Sequence, residues 1–122
     1  MADTLPLEET DRLIASDKVE GTRVYDRNGN KLGSIMNFMV DKRSGRAEYA
    51  VMEFGGILGL GNEYYPIPWQ MRDYDPQQEG YVVDITKEKL EKAPHYREQS
   101  PLFDRAYGQS VYGYYGFGYP VI

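Results

Sequence analysis

Short apolar runs alternate with turn-forming clusters through residues 13–93, and this alternation constrains the fold more than any other feature of the chain. The runs are rich in Val, Ile, Met, Phe and Tyr, which favour strands, and the clusters contain the Gly, Asn, Asp and Pro residues typical of turns. A short charged segment at the end of this stretch is typical of a helix. The pattern predicts an all-β, compact, β-barrel-like domain with one short helix near its carboxyl end.

The apolar runs predict six strands. They span residues 13–15, 22–25, 32–40, 47–54, 64–69 and 81–85. Between the second and third runs, Asn28-Gly29 is a strong hairpin signal because both residues tolerate a positive φ. The two longest runs, 32–40 and 47–54, have apolar residues on both faces. We therefore predict a central hairpin whose second face is covered by barrel curvature, the carboxy-terminal tail or another subunit.

Two prolines mark the run at residues 64–69. Pro66 and Pro68 have the same parity along the strand, and proline cannot donate a hydrogen bond to a β-ladder. We therefore predict an edge strand, or a strand beside a bulge, at this position, followed by a polar turn over residues 73–80.

A short helix is predicted over residues 87–93. Thr86 is a suitable N-cap, and the acidic Glu88 lies favourably near the positive end of the helix. Leu90 and Ala93 are then placed to close one end of the barrel.

Composition divides the chain into three parts. Residues 1–11 are acidic and lack apolar periodicity, which predicts a flexible arm, and residues 12–96 form the barrel domain. Residues 97–122 interleave Tyr and Phe with Gly, a low-complexity pattern with too few aliphatic side chains to fold alone. Their aromatic area is nevertheless too large to leave in water, so we expect this tail to pack against the barrel or a neighbouring subunit.

The charge and the cysteine content limit the cellular locations and the partners that are expected for the chain. The 14 Lys and Arg residues against 19 Asp and Glu residues give a formal charge of −5, which opposes non-specific binding to nucleic acid and anionic lipid. The lack of cysteine excludes disulfides and thiolate metal sites. No apolar run approaches the roughly 20 residues needed to cross a bilayer. We expect a soluble, cytoplasmic protein without membrane insertion, for which nucleic acid is a disfavoured partner.

The sequence contains no residue combination that indicates catalysis. The glycine-rich loop at residues 55–61 lacks the helix start or the lysine of a phosphate loop. Asp26, Asn28 and Asn30 have the spacing of the first oxygen ligands in a calcium-binding loop, but a lysine occupies the position that requires glycine. His95 is the single histidine and has no evident partner to orient it as a general base. We therefore predict a protein that is not an enzyme and has no catalytic, cofactor or metal site.

Several short motifs together carry a family resemblance. They are Leu13-Ile14-Ala15-Ser16, Val24-Tyr25-Asp26, Asn28-Gly29, Leu32-Gly33, Gly59-Leu60-Gly61, Ile67-Pro68-Trp69 and Ala93-Pro94. Their order and spacing over residues 11–96 resemble the PRC-barrel domain, and in particular its stand-alone bacterial members. The family also includes the H subunit of the photosynthetic reaction centre and a ribosome-maturation factor. The resemblance implies a small, strongly bent β-barrel of about six strands that makes protein or ribonucleoprotein contacts and has no catalytic residues to transfer.

Three hypotheses for the function follow. The leading one is a non-enzymatic protein-interaction and assembly module that forms homo-oligomers, because the aromatic area exceeds what a small domain can bury. The resemblance implies two alternatives, a ribosome- or RNA-associated maturation or adaptor factor and an accessory factor of a membrane electron-transfer complex.

Two candidate surfaces correspond to the first two hypotheses. The predicted interaction surface combines the central hairpin with the tail and consists of Met36, Phe38, Tyr49, Val51, Tyr107, Tyr112, Tyr114, Tyr115, Phe117 and Tyr119. The alternative is a basic patch for RNA, which requires two hairpin turns to lie together. It consists of Arg23, Arg27, Lys31, Lys42, Arg43 and Arg46.

Overall fold

The fold is built on one mixed sheet of six strands. The computed structural model describes residues 13–55 and 62–119. The strands are β1 Arg23–Tyr25, β2 Lys31–Val40, β3 Ala47–Gly55, β4 Asn62–Pro68, β5 Arg72–Asp75 and β6 Gly80–Val83. Their order in the sheet is β4-β3-β2-β1-β6-β5, with β1 parallel to β6 and every other pair antiparallel. The predicted mostly β fold with about six strands is confirmed, although the sheet is open and its membership differs from the prediction.

Three of the segments for which the sequence made predictions lie outside the described residues. They are the acidic arm at residues 1–11, the glycine-rich loop from residue 56 to residue 61 and the last three residues of the tail. The end of the predicted loop at residue 55 belongs to β3.

The prediction of a strand at residues 13–15 is wrong. Ile14 makes only a single bridge, and the chain then enters a helical turn, α1, at Ser16–Val19. This turn places Val19 in the core at 5% exposure.

A capped turn joins β1 and β2, as Asn28-Gly29 predicts. Gly29 has a φ of 85°, whereas Asn28 keeps a negative φ. The Asp26 carboxylate accepts hydrogen bonds from the backbone N–H groups of Asn28 and Asn30, each at 2.9 Å. These bonds, that of Asn30 foremost, lower the pKa of Asp26 because they favour its charged form. The oxygen-rich run that resembles a calcium loop therefore stabilises a hairpin turn.

The hairpin of β2 and β3 forms the centre of the sheet, as predicted. Ala50 and Met52 of β3 are fully buried, and so is Val51 of opposite parity. β2 passes so close to β3 at Gly33 that a Cβ atom there would overlap the backbone carbonyl of Glu53. Only glycine permits this approach, which bends β2 across its neighbour.

β4 is an edge strand, and its prolines explain why the sheet stays open. Tyr64 N–H donates outward, away from β3, to the carbonyl of Tyr96 at 2.8 Å, and Tyr96 N–H returns a bond of 3.0 Å. Pro66 and Pro68 share the parity of Tyr64, so the N–H groups that they lack are the ones that would point outward. The outer edge of β4 therefore cannot close the barrel through a regular ladder.

The two edge strands are nevertheless consecutive in the chain. A 3-10 turn at Trp69–Met71 leads directly from β4 to β5, so Trp69 is not the strand residue that was predicted. The four steps from Pro68 to Arg72 span at most about 14 Å, so the sheet must curl until its edges approach each other. We call residues Trp69–Met71 the seam.

The polar turn predicted over residues 73–80 is wrong in its first half. Residues 72–75 are β5, which pairs with β6 from Arg72 opposite Val83 to Asp75 opposite Gly80. Its Arg-Asp-Tyr-Asp sequence has no buried side chain, and a strand held mainly by backbone hydrogen bonds leaves no apolar signal. The last predicted strand correspondingly covers residues 80–83.

Two further helices complete the described chain. Helix α2 spans Lys87–Glu91 and is capped as predicted, because Thr86 accepts a 3.1 Å hydrogen bond from the N–H of Lys89. Leu90 and Ala93 are buried in the hydrophobic core, at 0% and 1% exposure. Helix α3 spans Arg105–Tyr114 and was not predicted. None of the helices within residues 13–55 and 62–119 is long and apolar enough to cross a membrane.

Candidate interaction surface

The C-terminal segment, residues 97–119, packs on the chain's own sheet. Tyr49 of β3 is the centre of this contact and is 2% exposed. It meets the rings of Phe103 at 5.2 Å and Tyr112 at 5.7 Å edge to face, and that of Tyr119 at 6.5 Å. Edge-to-face contacts of this kind stabilise aromatic pairs beyond their buried area. The predicted packing of the tail is thus found within a single chain.

Tyrosine hydroxyls fix the register of the C-terminal segment. Tyr112 donates to the backbone carbonyl of Glu48 at 2.5 Å, and Tyr119 donates to the Glu48 carboxylate at 2.9 Å. Tyr114 donates to the carbonyl of Lys89 in α2 at 2.5 Å. The segment therefore contacts both the sheet and helix α2.

This docking is nevertheless imperfect. The hydroxyls of Tyr107 and Tyr115 are buried, and neither has a hydrogen-bond partner among the described residues. Each such orphan costs about 1–3 kcal/mol. α3 also contains Gly108 and Gly113, and a glycine inside a helix costs about 1 kcal/mol relative to alanine. The aromatic contacts and the burial of Val111, Tyr112 and Tyr115 act against these terms.

Alkaline pH is expected to release the C-terminal segment. Burial raises the pKa of Tyr107 and of Tyr112 to about 12, and burial also raises the pKa of Tyr49 and Tyr115. Below the unfolded pKa of about 10 both states hold these protons, whereas between about 10 and about 12 only the folded state does. The free energy of unfolding therefore falls as pH rises through this window.

The measurement is a tyrosinate absorbance titration of the full chain, which has 12 tyrosines. We expect the exposed tyrosines to ionise near their ordinary pKa. The buried tyrosines, Tyr49, Tyr107, Tyr112 and Tyr115, are expected to ionise at higher pH, together with a loss of the helical circular dichroism signal. A single ionisation step at the ordinary pKa would contradict the buried packing.

The structure divides the predicted interaction surface into buried and accessible residues. Tyr49, Val51, Tyr112 and Tyr115 lie inside the chain at 9% exposure or less, so they are not part of its surface. Their aromatic area is absorbed by contacts between β3 and the C-terminal segment. The half-buried or exposed members are Met36, Phe38, Tyr107, Tyr114, Phe117 and Tyr119.

A second group of aromatic residues lies around the seam. Phe38 of β2 meets Trp69 at 5.6 Å between ring centroids. The guanidinium of Arg72 lies 3.7 Å above the Trp69 ring and 5.2 Å from the Tyr81 ring, and Tyr74 contacts Tyr81 at 5.5 Å. We call these five residues the aromatic–arginine surface. Tyr81 is its buried floor, Tyr74 is 47% exposed, and the other three are half-buried.

Arg72 is the chemically distinctive member of this surface. Its Nε is buried and has no acceptor among the described residues. Burial lowers the pKa of Arg72, while the charges of Tyr81 and Asp73 act in the opposite direction. Aromatic faces attract the cation but provide no hydrogen-bond acceptor in the plane of the guanidinium. The arrangement therefore suits a partner that brings a carboxylate or carbonyl oxygen to the accessible part of this half-buried side chain.

The aromatic–arginine surface was not predicted from the sequence. Trp69 was predicted to end a strand, and Arg72 precedes a predicted turn. Trp69 begins the seam and Arg72 follows it. Trp69 contacts Phe38 and Arg72 contacts Tyr81, each on another strand. The one available signal was local, an Arg three residues after a Trp with an aromatic two residues further on.

The predicted basic patch does not form a single surface. Its two turns lie at opposite ends of β2, whose ten residues span roughly 30 Å. Arg27 is also ion-paired with Asp84 at 3.3 Å. The premise that the two turns lie together is therefore wrong. Arg23, Lys31 and Arg27 belong to one end, and Lys42, Arg43 and Arg46 to the other.

His95 has a structural role at the β4 edge. Its ring stacks on Tyr65 at 4.7 Å, its Nδ1 lies 2.8 Å from the carbonyl of Ala93, and its Nε2 lies 3.1 Å from the Glu63 carboxylate. Glu63 also contacts Arg97 at 3.5 Å. These contacts fasten the chain to β4 just before the C-terminal segment begins.

Comparison with known proteins agrees with this architecture. Residues 11–90 match the sequence profile described as PRC-barrel domain. No curated protein matches the chain. The PRC-barrel domain is a general protein-interaction module and is not known for enzymatic activity. Since the match covers most of the chain, including all six strands, the protein belongs to the PRC-barrel domain family.

Proposed function

We propose that this protein is a non-enzymatic assembly module that self-associates through the aromatic–arginine surface. The observation that carries the proposal is the position of Arg72, a half-buried side chain whose guanidinium lies over two aromatic rings that offer it no hydrogen-bond acceptor. Trp, Tyr and Arg are the residues most enriched at binding hot spots, and here they adjoin one another.

A second copy of the chain is the partner that best fits this surface. Arg72 and Tyr74 lie on the same face of β5, because side chains alternate between the two faces along a strand. A twofold interface brings each surface against its own copy, so that the Arg72 cation of one chain can lie over the exposed Tyr74 ring of the other. β5 is also the last strand of the sheet, where the described chain adds no further strand. The surface is therefore complementary to itself.

Substitution of Arg72 is expected to weaken the self-association. Arg72→Gln keeps most of the side-chain volume over Trp69 but removes the charge, and we expect the dimer dissociation constant to rise about tenfold or more. Light scattering across a dilution series measures this constant. The dissociation constant of the Arg72→Lys variant is expected to lie between those of the wild type and Arg72→Gln, because lysine keeps the charge but loses the planar stacking.

Leu102→Ser is the matched control, since Leu102 is an exposed apolar side chain, at 78%, that belongs to the C-terminal segment and is not one of the five residues of this surface. It is expected to leave the dimer unchanged. A wild-type chain that stays monomeric at every concentration would overturn the proposal, and so would an Arg72→Gln variant that dimerises like the wild type.

A further inference from the structure

The C-terminal segment is an addition to the family domain. The PRC-barrel match ends at residue 90, whereas α3 begins at Arg105 and packs on a face made by β3 and β4. The main contacts of the segment join its rings to Tyr49 and its hydroxyls to Glu48. The domain and its cover are thus separate parts of the sequence that meet along one face.

The connection between the two parts is suited to a hinge. Tyr96 is held by its paired backbone hydrogen bonds to Tyr64, and the backbone pairing with β4 ends there. Residues 97–100 are exposed, and residues 97–104 span up to about 28 Å when extended. Pro101 favours an extended conformation before it. The link can therefore carry α3 away from its own sheet without disturbing the β4 edge.

The docked state also has features that promote opening. The orphan hydroxyls of Tyr107 and Tyr115 are hydrated when the segment leaves, and the glycines of α3 lower its helical propensity. These costs favour a local opening of the segment at a free energy below that of global unfolding.

We propose that the C-terminal segment is exchangeable, and that the face it covers accepts the same segment from a second copy of this chain. The copy is the occupant that fits, because it repeats in trans every contact that α3 makes in cis. Exchange of an identical element between protomers is a low-cost route to assembly, since it needs no new interface. This inference concerns a different surface from the one around Arg72 and does not depend on it.

The test adds a labelled peptide of residues 97–119 to the full-length protein and follows fluorescence anisotropy. We expect saturable binding whose rate is limited by departure of the resident segment and is independent of peptide concentration at high excess. The control peptide carries Tyr112→Ser, which removes the contacts to Tyr49 and to the Glu48 carbonyl, and is expected to bind about tenfold more weakly or worse.

Hydrogen exchange on the unmodified chain gives a second, independent readout. We expect the amides of α3 to exchange through a local opening, well before those of β2 and β3. Absence of peptide binding, or α3 amides that exchange only when the whole sheet unfolds, would overturn the inference. The Arg72→Gln variant is expected to bind the peptide like the wild type, so failure of the proposed function and failure of segment exchange are distinguishable.

Discussion

Gly33→Ala is expected to destabilise the protein by about 3 kcal/mol or more, among the largest effects of any single methyl group in this chain. The added Cβ would overlap the backbone carbonyl of Glu53. Backbone atoms in the middle of a sheet cannot rotate aside as a side chain can, so β2 and β3 must separate. Chemical denaturation followed by circular dichroism measures the loss.

Gly113→Ala is the matched control for this substitution. A Cβ atom at Gly113 meets nothing within 4 Å, and the residue lies in helix α3. Alanine there is expected to stabilise the helix by about 0.5–1 kcal/mol. A Gly33→Ala variant within about 1 kcal/mol of the wild type would show that the strands do not approach this closely.

Tyr112→Ala is expected to cost about 3–5 kcal/mol in the docking of the C-terminal segment. Tyr112 is 1% exposed, and its ring contacts both Tyr49 and Tyr119. Its removal leaves a cavity beside Tyr49 and an unpaired carbonyl at Glu48. Hydrogen exchange is expected to show α3 unprotected while β2 and β3 keep their protection.

Tyr112→Phe separates the hydroxyl from the ring. It retains the aromatic contacts and loses only the hydrogen bond to Glu48, so a loss of about 1 kcal/mol is expected. Equal loss of protection in α3 and in the strands of the Tyr112→Ala variant would contradict a separable segment, because it would make α3 part of the same cooperative core.

The sequence predicted those parts of the fold that are specified by local chemistry. Asn28-Gly29 forms its turn because the turn needs a residue with positive φ. Pro66 and Pro68 predicted an edge strand because the missing donors forbid an outer neighbour. Thr86 predicted the start of α2 because its hydroxyl satisfies a free N–H group.

The parts that were missed are specified by distant contacts. Helix α3 is rich in glycine and tyrosine and has weak helical propensity, so its packing on Tyr49 is what selects the helix. β5 has a turn-like composition and is a strand because β6 supplies the backbone partners. The aromatic–arginine surface was missed for the same reason, because it depends on contacts between distant parts of the chain. Phe38 and Trp69 are 31 positions apart by their numbering and meet only after the sheet has curled.

The seam has a mechanical consequence for binding. Trp69 and Arg72 stand at the ends of the short connection that draws the two borders of the sheet together. A partner that binds both side chains holds the two edges of the sheet together. It therefore opposes the separation of these edges, which must accompany unfolding. Occupancy of this small area therefore protects the whole domain against heat and denaturant, by linkage between binding and folding.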